Sequence, residues 1–100
     1  MNYLTLEELK RQCIIEESWH EDDTYLESLG DAAEDFVQAH INCMLDDVTA
    51  ENGGTLPNSL RQALLIIVDY LYDARGSGDN HEIPPAFYVL CKPWMTYTIA

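Results

Sequence analysis

His40 and Cys43 stand three residues apart, a spacing that places two metal donors on one side of a helix. A structural zinc site needs four donors, and no other Cys or His pair in the chain has ligand spacing. His40 therefore reads as a boundary residue of an apolar stripe, and no metal is expected. Glu16, Glu17, His20, Glu21, Asp22 and Asp23 crowd together like a cation-binding run. They lack the regular spacing and central Gly of a calcium loop, so they read as a solvated acidic face. Gly76, Ser77 and Gly78 are followed by no Lys and sit among acids, which excludes a phosphate loop. No serine occupies a nucleophile elbow. Carboxylate pairs are frequent, but eighteen Asp and Glu make that a matter of composition. With no convergent catalytic set, a non-enzymatic role without a cofactor is expected.

The other chemistry is adhesive. Phe87, Tyr88, Trp94 and Tyr97 fall within one short C-terminal segment, with Met95 among them. Two readings stand side by side. These residues cap a helical core, or they form an apolar anchor for another protein, since Trp, Tyr and Met are enriched at interfaces. On the second reading Phe87, Tyr88, Trp94, Met95 and Tyr97 are the partner-binding residues.

The elements that must position them are helical. Residues 60–75, LRQALLIIVDYLYDAR, are apolar nearly all round, as befits a central helix packed on several sides. Asn58 and Ser59 are N-cap candidates after Pro57, and Gly76 is a C-cap candidate. The stretch is too short, and too acidic at Asp69 and Asp73, to span a bilayer. Thr5 and Glu8 have the pattern of a capping box, and Leu6, Leu9 and Cys13 predict a short helix ending near Ile14. A second helix is predicted from Asp22 or Asp23 to about Met44. Its stripe is Leu26, Leu29, Ala33, Phe36, Val37, His40, Ile41 and Met44. Glu27, Ser28, Asp31, Glu34, Asp35, Gln38 and Asn42 make its polar face. Residues 48–57 read as a loop around Asn52, Gly53 and Gly54, and residues 76–82 as a mobile Gly-rich loop. Pro84 and Pro85 open a last short helix that Pro93 stops or kinks, and residues 95–100 are extended in pattern. The expected fold is all-α: a small helical bundle around a central buried helix, in one domain spanning residues 1–100.

Charge narrows the partners. The net charge is −13, and thirteen acids against Lys10 and Arg11 lie in residues 1–50. Such a chain has no electrostatic footprint for holding phosphates or anionic lipid. The start, MNYLTLEELK, has acids where a signal peptide has bases, so no secretory leader is expected. Three widely spaced cysteines are not a disulfide framework and suit a reducing compartment.

Taken in order, the residues resemble the small head–tail connector proteins of tailed bacteriophages, also labelled phage DNA-packaging proteins. The resemblance rests on YLTLEELKR at 3–11, then Asp22, Asp23, Tyr25 and Leu26, and LGDAAEDFV at 29–37 with its small pair Ala32 and Ala33. It continues with Leu56 and Pro57, LRQALL at 60–65, Leu71, Tyr72 and Arg75, and the 84–94 segment with Leu90 and Pro93. It departs at Ala74 and Gly76, where the family often has Asn and an acid, and at Met95, where a basic residue is usual. What the resemblance implies is structural. It implies a virion protein, assembled in the host cytoplasm, that forms a homo-oligomeric ring below the portal at the head–tail junction. The ring would extend the DNA channel and carry neck or tail proteins. If the acids line the channel, DNA would pass without specific binding, because such a wall repels phosphates; the alternative places the acids on the outer rim. Two other classes remain open: an acidic DNA-mimic inhibitor of a basic partner, and a small helical protein–protein adaptor.

Overall fold

The computed structural model describes residues 3–13, 15–16, 18–77 and 82–95, with backbone alone for 73–77. It is all-helical, and the described residues contain no strand. The order is α1 (Leu6–Gln12), α2 (Asp23–Ile41), α3 (Leu45–Glu51), α4 (Asn58–Ser77) and α5 (Pro85–Cys91), then one 3-10 turn at Lys92–Trp94. The molecule is a slab of 44 × 32 × 18 Å, about two helices thick.

α4 is the central element, packed against α1, α2 and α5. Leu60, Ala63, Leu64, Leu65, Ile67 and Val68 are buried on it, more than one helical face, which accounts for apolar residues nearly all round. It begins at Asn58, where the Pro57 carbonyl accepts from the Arg61 N–H at 3.0 Å. Gly76 does not end it; the helix runs on to Ser77. α2 covers α4 with Leu26, Leu29, Ala33, Val37 and Ile41, all buried at helical spacing. Gly30 is buried beside them.

α1 starts as its sequence predicts. The Thr5 hydroxyl accepts from the Glu8 N–H, and the Glu8 carboxylate accepts from the Thr5 N–H, both at 3.2 Å.

Three expectations are corrected. α2 stops at Ile41, short of Met44, because Asn42 takes the left-handed conformation at φ 57°. Residues 48–57 are not all loop, since Leu45–Glu51 forms α3. The Gln38 side-chain carbonyl accepts from the Leu45 N–H at 3.0 Å, and Leu45 and Val48 enter the core one turn apart. Asp46 and Asp47 thus occupy the first turn of α3, where the helix dipole favours acids, instead of the end of α2, where it would oppose them. Glu34, assigned by periodicity to the polar face, is buried: its carboxylate accepts from the Tyr3 N–H at 3.2 Å. The Gly-rich stretch 78–81 and the tail 96–100 lie outside the described residues.

Candidate partner-binding face

α5 is set by its prolines and two buried positions. Pro85 opens the helix, and the Pro84 carbonyl accepts from the Phe87 N–H at 3.0 Å. Phe87 and Cys91, four residues apart, are fully buried. At about 100° per residue, that turns Tyr88 and Val89 away from the core. Tyr88 is 46% and Val89 70% exposed.

The buried Phe87 joins α5 to α2. Its ring lies 5.6 Å from Phe36 and 5.1 Å from His40, centroid to centroid. Tyr88 meets the His40 ring edge-on at 5.5 Å and the Phe87 ring at 5.3 Å. Phe36 and His40, one turn apart on α2, are parallel at 6.4 Å, and Phe36 is 40% exposed. The outcome is an apolar rim of Phe36, His40 and Tyr88 over a buried Phe87.

The C-terminal aromatics therefore do not form one cluster. Phe87 belongs to the core and Tyr88 to the rim shared with α2. Trp94 sits at the other end of α5, half-buried against the core, and its indole N–H donates to the Ser59 hydroxyl at 2.7 Å. Ser59, an N-cap candidate by sequence, thus accepts a bond that ties the end of α5 to the start of α4. Met95 is half-buried beside the same core, and Tyr97 lies outside the described residues. Sequence reading missed Phe36 and Val89 as surface residues, while His40 is half-buried at the edge of its stripe, as expected. Phe36 stands about 80° from the centre of its own helical stripe, and that offset was a signal that it borders the core.

Charge around this framework is one-sided. Among the described residues Lys10 and Arg61 are engaged within the fold, while Arg11 and Lys92 are exposed. Arg61 donates to the Tyr3 carbonyl at 2.9 Å and to the Glu8 carboxylate at 3.1 Å, which ties the N-terminal segment to α4. Lys10, 2% exposed, pairs with Asp23 at 2.9 Å and donates to the Trp19 carbonyl, closing the connection between α1 and α2. The Lys10 hydrogen bond holds the Asp23 carboxyl below its usual range, with His20 at 2.9 Å adding to the effect. Meanwhile Glu7, Glu27, Asp31, Asp35, Asp46, Asp47 and Glu51 are exposed.

None of Cys13, Cys43 and Cys91 is in a disulfide. Among the described residues no three His, Cys, Asp or Glu side chains converge to hold a metal, and no helix is long and apolar enough to cross a membrane. His40 turns its ring into the aromatic rim.

Comparison with known families adds what helix packing alone does not specify. The family model of the phage gp6-like head-tail connector protein matches residues 3–83, which covers α1 to α4 and stops before α5. No curated protein and no solved structure matches the chain. With most of its length and its four-helix framework matched in a single span, the chain belongs to the phage gp6-like head-tail connector protein family.

Proposed function

We propose that this phage structural connector works as one subunit of a ring below the portal, extending the DNA channel and carrying neck or tail proteins. The observation that carries the reading is the family match over residues 3–83. The charge distribution supports it. With Lys10 and Arg61 engaged inside, the chain offers DNA an acidic wall that phosphates slide past. In this reading the partner-binding residues are Tyr88, Trp94, Met95 and Tyr97. Phe87 supports Tyr88 from beneath, and Phe36 and Val89 extend the apolar surface beside it. The tail from Met95 onward would dock on a neighbouring subunit or on the portal by main-chain hydrogen bonds.

Electron microscopy and light scattering on the purified chain, with and without its portal, test the proposal. Exposed acids repel neighbours at low salt, and the Debye length falls from about 30 Å at 0.01 M to about 8 Å at 0.15 M. Small species are expected in dilute, low-salt solution, and rings at higher concentration and salt or on the portal. A monomer under all conditions, portal included, would refute the ring.

A further inference from the structure

A second surface uses none of the residues of the aromatic rim. Between the connection that follows α1 and the C-terminal half of α4 lies a cleft of about 280 Å³, lined by Ile15, Glu16, Trp19, Asp22 and Tyr72. Trp19 is 48% exposed, a large apolar area to leave in water. Its backbone is nonetheless held. The carbonyl accepts from the Lys10 ammonium, and the N–H donates to the Glu16 carbonyl at 3.0 Å. Lys10 is itself buried and neutralised by Asp23. The opposite wall is fixed too: the Tyr72 hydroxyl donates to the Asp22 carboxylate at 3.2 Å, and its ring lies 6.5 Å from that of Tyr25.

The cleft thus combines two aromatic side chains and Ile15 with two carboxylates, and among the described residues no cation lines it. An anion would be repelled there, and an apolar group would have to strip water from Glu16 and Asp22. A guanidinium suits both the aromatic and the acidic walls. It stacks on an indole or phenol face, carries the charge the carboxylates attract, and is weakly hydrated. We propose that this cleft binds an arginine side chain of a different protein. A second copy is the poorer source: copies at −13 repel, and among the described residues a copy exposes only Arg11 and Lys92 as cations. A basic partner surface meets complementary charge. This inference does not rest on ring formation.

The test uses the full ¹⁵N-labelled chain, dilute and at low salt, titrated with N-acetyl-arginine amide or with N-acetyl-citrulline amide, the uncharged isostere. The indole N–H signals of Trp19 and Trp94 are read separately, assigned with Trp19→Phe. The Trp19 signal should shift saturably with the arginine compound while Trp94 stays still. Citrulline should bind about fivefold more weakly or worse, and Glu16→Gln, an exposed substitution, should weaken arginine binding by about twofold or more. Equal response to arginine and citrulline would overturn the proposal. So would both indoles drifting together without saturation, or a Trp19 signal that moves with protein concentration alone, which would give the cleft to a second copy.

Discussion

Replacing Phe87 by alanine removes a side chain with no exposed surface, packed 5.6 Å from Phe36 and 5.1 Å from His40. A buried Phe→Ala change costs about 3–5 kcal/mol in transfer and cavity terms. In a chain of this size each kcal/mol lowers the melting temperature by about 4–8 °C, so Phe87→Ala should melt on the order of 15–30 °C below wild type. Tyr88→Ala, one residue on, removes a ring that is 46% exposed and meets Phe87 and His40 edge-on. Its loss should be about 1 kcal/mol, or roughly 5 °C. Assembly should respond in the opposite sense: at a temperature where both variants remain folded, Tyr88→Ala should weaken ring or portal binding by about 2 kcal/mol, the scale of an interface hot spot. Thermal unfolding by far-UV circular dichroism gives the first quantity, and light scattering with the portal present gives the second. A Phe87→Ala protein that melts within a few degrees of wild type would refute the packing of α5 against α2. A Tyr88→Ala protein that assembles normally would refute the partner face.

Trp94→Ala should cost the isolated subunit about 1 kcal/mol for the bond to Ser59, beyond the packing of its half-buried ring, and weaken assembly by about 2 kcal/mol. If the isolated subunit instead melts far below wild type with assembly unaffected, Trp94 is core. Removing residues 96–100 should leave the melting temperature unchanged while reducing binding to the neighbour or portal. The Asp23 carboxyl, lowered from 3.8 by Lys10, adds stability that is present above that unfolded value and lost as pH falls through the lower folded one. The stability gap between wild type and Asp23→Asn should therefore shrink below pH 3.8 in acid titrations followed by circular dichroism. Burial pushes the Cys91 thiol up to about 11, so at pH 8 only about one part in a thousand is thiolate. Alkylation with mass-spectrometric mapping should label Cys13 and Cys43 first and Cys91 only on unfolding; early Cys91 labelling would contradict its burial.

Much of this architecture is written locally. The central helix, the stripe of α2, the Thr5–Glu8 capping box and the proline start of α5 each depend on residues within a turn or two of one another. Periodicity and capping chemistry report such relations directly. Over residues 3–83 the same local patterns, in order, carry the resemblance to head–tail connectors that the family match bears out. What the sequence left undecided involves partners far along the chain. Glu34 has a polar residue's periodicity but is buried, because the segment at Tyr3, thirty-one residues away, lies across it. α3 is short, and its definition depends on Asn42 turning left-handed and on Leu45 and Val48 finding the core. The C-terminal aromatics look like one cluster when read along the chain. Folding divides them, because Phe87 finds α2 while Trp94 finds Ser59, thirty-five residues back. A pattern along one helix says which side is apolar; what covers that side is set by the packing of all the helices together.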